Sequence, residues 1–412
     1  MLSKFFISDG RVRALRTGPA GGLLDGFADA LWQAGYARIT ARGHLRAVEH
    51  FVAWADRKAI SVGSLTAQTL ELFSRHLSRC RCLRYGCSKR SLVHGARMFL
   101  GHLEKAGVIR LTSVASVPAP ALMVAFGQWM RERRGTCEAT LYNYGIHIRE
   151  LLKRLGEQPE KFDARSLRQF VIEGKQTSGW AAAKTRTTAL RMFLRFLIAE
   201  GKCASRMEAA IPVLAHWRLA ALPRYLQPAE VERLITSCDP MSPVGLRDRA
   251  ILLLLARLGL RAGDIVHLRL QDIDWKGAWI HVCGKSRRET RLPLTQEVGQ
   301  ALVAYLKDGR PRTEADALFI RSRAPFRAFR SHAAVSVIVA QTLRRAHVTR
   351  PSRGAAHLLR HSLATSMLRH GASLQEIADI LRHRSIATTQ IYAKVDVTAL
   401  RKIAQPWPEV QP

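Results

Sequence analysis

Acidic side chains are scarce in this chain of 412 residues, with 32 aspartates and glutamates against 65 lysines and arginines, a formal net charge of +33. A folded body this basic needs a polyanion, and nucleic-acid phosphate is the default partner. Long hydrophobic runs are missing as well. The longest, residues 250–256, falls far below the roughly 20 residues that span a bilayer. Phe5-Phe6-Ile7 is too short for the apolar stretch of a secretory signal, and Ser8-Asp9 ends it. The expectation is a soluble, cytoplasmic, nucleoid-associated protein with no membrane partner. Cysteine is sparse and its count, seven, is odd, which argues against a disulfide framework. No cluster of carboxylates suggests a catalytic metal site.

What is present is a hydrophobic fraction of 47%, ample for buried cores, and length for two to three domains. Residues 24–110 read as helices, with Leu45, Val48, Phe51 and Val52 near one helical face. Residues 111–122 carry Pro118 and Pro120 and no charges and read as a linker. A second helical stretch, 122–201, draws its core from Leu151, Leu152, Phe170, Phe193, Leu194 and Leu197. The two stretches resemble a diverged repeat. Arg97-Met98-Phe99-Leu100 matches Arg191-Met192-Phe193-Leu194, and Thr66, Leu70 and Phe73 match Asp163, Leu167 and Phe170. Pro212, Pro223 and Pro228 punctuate the next boundary, and Pro228 suits the first position of a helix. Beyond it the pattern predicts mostly helix with one β-ribbon, strands at 278–283 and 290–294 around a turn at 284–289. Helices follow near 334–346, 357–370, 374–382 and 389–395. Ser373 and Glu376 form a capping box for the third of these. The fold class expected is mainly α with a small β-ribbon (α+β). The expected domains are a helical DNA-binding region at 1–115, a helical domain at 116–205 and a catalytic domain at 220–405.

Six residues in the last of these carry chemistry. Arg261 follows an apolar helix ended by Gly259, and a buried carboxylate at Asp264 is placed to hold its guanidinium from behind. Arginine presents a fork of donors that matches two phosphate oxygens. Lys285 sits at the tip of the expected ribbon beside Arg287, Arg288 and Arg291, where an ammonium can reach a leaving oxygen. In His357-Leu358-Leu359-Arg360-His361, helical spacing sets His357, Arg360 and His361 on one face, with Leu359, Leu363 and Met367 on a core stripe. An arginine and a histidine one turn apart can grip one phosphate while the histidine moves a proton. His383 follows the 374–382 helix, and Tyr392 lies on the next short one. A lone tyrosine on an apolar helix is usually core. Two arginines, a lysine and two histidines upstream of it point instead to a nucleophile, and cationic neighbours would favour its anionic, phenolate form.

Arg261 with Leu260 and Asp264, Gly284-Lys285, His357-x-x-Arg360-His361, and Leu381-x-His383 with Thr388-Thr389-Gln390-Ile391-Tyr392 together resemble the tyrosine recombinase/integrase family. Xer-type recombinases and phage integrases are nearest in pattern. The resemblance covers about 223–400. More weakly, 122–201 resembles the family's SAM-like core-binding domain, and the first 110 residues match only through the repeat. The resemblance implies Tyr392 as nucleophile, Arg261 and Arg360 as clamps on the scissile phosphate, and Lys285 as general acid for the leaving 5′-oxygen. It implies His357 in proton transfer and His383 as a hydrogen-bond partner of the phosphate. It further implies a metal- and ATP-independent reaction through a 3′-phosphotyrosyl intermediate, with no cofactor. Its partners would be double-stranded DNA with specific sites, a tetramer on two sites and, in some cases, sister recombinases. The extra N-terminal region favours service to a mobile element. Three positions depart from the family pattern. Asp264 stands where Glu is common, Arg382 replaces the usual Gly before His383, and Lys394 stands where a His often follows the tyrosine motif. A catalytically silent DNA-binding accessory protein and a relaxing topoisomerase of the same chemistry are the alternatives. Separately, His76, Cys80, Cys82 and Cys87 form a possible zinc ligand set of non-standard spacing in a basic loop.

Overall fold

The computed structural model describes residues 1–80, 88–111, 119–214, 222–283, 289–349, 354–395, 400, 401 and 404, with the side chains of all but 175–178 and 181. The chain forms two compact units, Met1–Arg110 with Arg218–Pro412, and Leu111–Trp217. No helix among the described residues is long and apolar enough to cross a membrane.

The first unit opens with helices α1 (Asp9–Thr17), α2 (Leu23–Gln33), α3 (Arg38–Asp56), α4 (Ala67–Arg79) and α5 (Lys89–Lys105). The apolar face read from the sequence is the buried face of α3: Leu45, Val48, Phe51 and Val52 are all inaccessible to solvent or nearly so. They share a core with Phe73 and Leu77 of α4 and Phe99, Leu100 and Leu103 of α5. Gly95 permits the close approach of α3 and α5, since a Cβ there would lie 2.6 Å from the Cβ of Ala47.

The second unit contains α6 (Ala121–Arg134), α7 (Glu138–Leu155), α8 (Ala164–Ala199) and α9 (Arg206–Ala209). Helix α8 is interrupted at Gly179, whose φ of +75° is non-helical. Leu151, Leu152, Phe170, Phe193, Leu194 and Leu197 form its core with Phe126 and Leu167. The matched repeat positions do the same local work in both units. Thr66 caps α4 by accepting from the Thr69 N–H at 3.2 Å, and Asp163 caps α8 by accepting from the Ser166 N–H at 2.9 Å. Phe99 and Phe193 are both fully buried.

The rest of the first unit begins with α10 (Pro228–Thr236), which carries Pro228 at its first position as expected. Helix α11 (Pro243–Ala256) is buried from Ala250 through Ala256, so it is the spine of this region. After α12 (Ala262–His267) comes an antiparallel sheet of order β1-β2-β3: β1 (Ile273–Asp274), β2 (Trp279–Cys283) and β3 (Glu289–Pro293). The expected ribbon is β2 and β3, in register from Trp279 opposite Pro293 to Cys283 opposite Glu289. Strand β1 is an addition, too short to leave an alternating pattern in the sequence. Helices α13 (Gln296–Ala304), α14 (Ala333–Arg345), α15 (Ala355–Arg369) and α16 (Leu374–Ile380) complete the region. The last expected helix is instead a 3₁₀ segment, Gln390–Val395, which holds Tyr392.

Candidate active site

Three local structures bring the site together. The first is the exit of α11. Gly259 turns the chain at φ +59°, and a Cβ there would sit 2.8 Å from a Leu381 methyl carbon, so the position needs both the conformation and the absent side chain. Its carbonyl accepts a hydrogen bond from Arg360. Arg261 is then the N-cap of α12.

The second is the C-terminal end of α16. The capping box read from the sequence starts this helix, with the Glu376 carboxylate accepting from the Ser373 N–H at 2.7 Å and Ser373 Oγ from the Glu376 N–H at 3.2 Å. At the other end the His383 N–H donates to the Ala378 carbonyl at 2.9 Å, with Arg382 left-handed at φ +53° between them. That is the helix-stop geometry that favours glycine. The carbonyls just past α16 face the two arginines. Arg360 donates to Leu381 O, and Arg261 Nη2 donates to Arg382 O at 2.9 Å and to Leu381 O at 3.4 Å. These carbonyls hold two like-charged guanidiniums side by side.

The third is the face of α15. Arg360 is 4% exposed, His361 is half-buried, and His357 lies at the exposed rim. Tyr392 is 1% exposed, with its ring packed among Ala364, Ile377 and Leu381. Its hydroxyl is hydrogen-bonded to His361 Nδ1 at 2.7 Å. His383 Nδ1 is hydrogen-bonded to the buried Thr389 hydroxyl at 2.8 Å. Arg261, His357, Arg360, His361, His383 and Tyr392 line one cleft of about 440 Å³ together with Ala387, Thr388 and Ile391. Five of the six residues singled out in the sequence therefore meet. The sixth, Lys285, lies outside the described residues, as do Arg287 and Arg288. Residues 284–288 connect β2 to β3.

Burial dominates the electrostatics of the cleft. It lowers the Arg360 guanidinium to about 9, with help from Arg261 and Arg382, so the group keeps its charge at neutral pH. Arg261 is lowered by burial and by Arg382, while Asp264 raises it. His361 and His383 are each pushed down to about 4, first by burial and then by neighbouring cationic groups. His357 is lowered by desolvation, then by Arg360, Arg261 and His332. All three imidazoles are neutral at pH 7. Tyr392 is pushed up to about 12 by burial, only partly opposed by Arg360. The expectation that cations alone would favour a phenolate is thereby corrected, because desolvation of the buried ring outweighs the nearby charge.

Asp264 also departs from the role expected of it. Its carboxylate does not hold the Arg261 guanidinium. It accepts from the Arg261 backbone N–H at 2.9 Å and pairs with the Arg382 guanidinium at 2.6 Å. The side chains of Asp264 and Arg382 are 6% and 8% exposed. Two of the three departures from the family pattern are thus one buried ion pair, spanning 118 positions of sequence. The turn at Arg382 is kept despite the missing glycine, and the Asp264 contact holds the side chain that sits there. Arg382 Nε and Nη1 are buried with no hydrogen-bond partner among the described residues. Removing one partner of a buried pair leaves the other uncompensated, so Asp264→Ala should cost about 3 kcal/mol or more. Asp264→Ala with Arg382→Gly should be less destabilised than the sum of the single changes by roughly 1–3 kcal/mol. Urea denaturation of the four proteins checks this, and additive values would mean the pair is not coupled.

Sequence reasoning quoted His361 without giving it a task and passed over Thr389. The signal for His361 was its place one turn from His357 on the same face. Thr389 stood in the quoted tyrosine motif, but nothing in the sequence marked it as the partner of His383.

Known proteins share this chain's sequence pattern and fold. The model of the phage integrase family matches residues 224–398. The putative integrase/recombinase y4rA of Sinorhizobium fredii is 35% identical over 95% of this chain and 95% of its own length. The tyrosine recombinase XerD of Lacticaseibacillus casei is 30% identical over 66% of this chain and 92% of its own. In fold, the chain is similar to the XerH site-specific recombinase solved in a post-cleavage complex with a palindromic difH substrate. That match has a TM-score of 0.55 at 18% identity, over 69% of this chain and 95% of that one. It is also similar to a lambda integrase dimer bound to a COC′ core site, with a TM-score of 0.53 at 17% identity over 70% and 98%. The cleft, the helical architecture and the near full-length relatives lead to one conclusion: this chain belongs to the tyrosine recombinase, or phage integrase, family and is a site-specific recombinase.

Proposed function

We propose that the protein cuts and rejoins duplex DNA at specific sites through an ester between Tyr392 and a 3′-phosphate, and that it serves a mobile element. The observation that carries the reading is the meeting of Arg261, Arg360, His357, His383 and Tyr392 around one cleft. The Tyr392 oxygen attacks phosphorus, the bond to the 5′-oxygen breaks, and the strand leaves as a 5′-hydroxyl. At a pKa of about 12, only about one tyrosine in 10⁵ is ionised at pH 7. The proton therefore departs as attack proceeds, and His361 Nδ1, already 2.7 Å away and neutral, is its acceptor. Arg261 and Arg360 hold the equatorial oxygens, where negative charge accumulates. His383, fixed by Thr389, adds a hydrogen bond to the same phosphate, and His357 assists proton transfer at the rim. Lys285 supplies the proton of the leaving oxygen, an assignment that rests on the family resemblance. The ester conserves the energy of the broken bond, so rejoining needs no ATP, and the guanidiniums supply the charge a metal would otherwise bring.

The helical regions 1–115 and 116–205 would bind DNA beside the catalytic region 220–405. The net charge of +33 supports this, and so do the DNA complexes of the structural neighbours. A tetramer on two sites follows from pairwise strand exchange, and sister recombinases would be members of that assembly. The mobile-element role draws support from the near full-length match to a putative integrase.

Duplexes drawn from the DNA flanking the gene, carrying a nick beside the cleavage point, provide the test. The expected result, in the presence of EDTA and without ATP, is a denaturant-stable protein–DNA adduct with a free 5′-hydroxyl, and recombinant products from two intact sites. Binding without any adduct would favour the accessory protein. Relaxation of supercoils without recombinants would favour a topoisomerase.

A further inference from the structure

We propose that the N-terminal helical region carries a zinc site formed by His50, His76 and Cys80. The sequence pointed to His76, Cys80, Cys82 and Cys87. The structure brings in a residue that pattern did not contain, His50 of α3, and Cys82 and Cys87 lie outside the described residues. His76 and Cys80 are four positions apart at the C-terminal end of α4, which sets them one above the other on one face. His50 comes from the neighbouring helix, 30 positions before Cys80, and its Nε2 lies 3.4 Å from Cys80 Sγ. One ligand atom from each residue falls within 4.8 Å of the other two.

Those separations match what a metal requires. In a tetrahedral site with metal–nitrogen bonds of about 2.0 Å and a metal–sulfur bond of about 2.3 Å, neighbouring ligand atoms lie roughly 3.5 Å apart. The His50–Cys80 distance already has that value, and the His76 ligand atom lies within 4.8 Å of both. The surroundings hold the rings in place. His76 stacks on Trp54 with centroids 5.7 Å apart and planes at 28°, and His50 meets the edge of Phe73 at 5.3 Å. Cys80 is 8% exposed and the two histidines are half-buried. An apolar wall with two imidazoles and one sulfur suits zinc better than a hard oxygen-seeking cation. The alternative is a plain histidine–cysteine hydrogen bond in a small aromatic core.

Such a site would staple the end of α4 to α3. In the sequence, the stretch that follows carries Arg81, Arg84, Lys89 and Arg90, so the metal would fix the point from which a basic segment departs. The fourth position would be taken by water.

The test uses the full chain, purified without a histidine tag or chelator. Elemental analysis should find about one zinc per chain, and less than about 0.2 in Cys80→Ser or His50→Gln. Should either variant fail to fold, the parent chain still decides the matter. After zinc removal, added Co²⁺ should give a tetrahedral d–d spectrum with a thiolate-to-cobalt charge-transfer band. In the chain carrying both Cys82→Ser and Cys87→Ser, that band should persist through Cys80. The proposal is overturned if the parent chain shows neither zinc nor the cobalt spectrum. It is also overturned if folded Cys80→Ser keeps its full metal content, or if the double serine variant loses the thiolate band entirely.

Discussion

Replacing Tyr392 with phenylalanine is expected to leave a protein that folds, binds DNA and forms no covalent adduct. The substitution removes one oxygen from a ring whose carbon atoms sit in the core made by Ala364, Ile377 and Leu381. The structural loss is the single hydrogen bond to His361, worth about 1 kcal/mol. The chemical loss is the proposed nucleophile. Removal of a nucleophile from a group of residues that act together typically lowers turnover by about 10⁴-fold or more. Single-turnover cleavage of a nicked substrate, paired with a thermal melt and a DNA-binding titration, separates these effects. Residual adduct at more than about a thousandth of the parent level would mean that another group attacks.

The second large effect is expected at Arg360, where structure and chemistry are harder to separate. Its guanidinium bridges the Gly259 and Leu381 carbonyls and so joins the exit of α11 to the end of α16. Arg360→Ala should slow strand cleavage by roughly 10²–10³-fold, the usual loss when one prepositioned donor to a developing oxyanion is removed. It should also destabilise the fold by about 1–3 kcal/mol, because buried carbonyls lose their donor. Arg360→Lys restores a positive charge, but an ammonium on a flexible stem cannot span two carbonyls and still present a fork to phosphate. The lysine variant should therefore recover part of the stability and little of the rate, which melting and single-turnover cleavage report independently. A lysine variant with the parent rate would show that charge alone suffices and that the carbonyl bridge has no role in the reaction.

Local chemistry was the part of this protein best written into its sequence. Ser373 with Glu376, Pro228 at the head of α10, and the apolar positions 45, 48, 51 and 52 each depend on neighbours within a few residues, and each was legible. The β-ribbon was legible because β2 and β3 are five residues each, while β1 has two and leaves no period to detect. Contacts between distant segments were not legible. Nothing near Asp264 or Arg382 indicates that each is the other's partner, and the sequence offered Arg261, three positions away, as the obvious mate. His50 likewise joins His76 and Cys80 only because α3 lies against α4. Burial was the remaining gap. Counting cations around Tyr392 suggested an ionised phenol, but the ring is enclosed by the core, and the desolvation that follows reverses the sign of the shift. The six site positions were singled out through their order and context. The meeting of five of them around one cleft depends on the turn at Gly259 and on the carbonyls just past α16.

The most direct measurement is the chemical location of the protein–DNA bond. An adduct trapped on a nicked duplex is digested with nuclease and protease, and the modified peptide is sequenced by mass spectrometry. The expected product is a nucleotide 3′-phosphate esterified to the oxygen of Tyr392. A bond to any other side chain, with Tyr392 recovered unmodified, would contradict it.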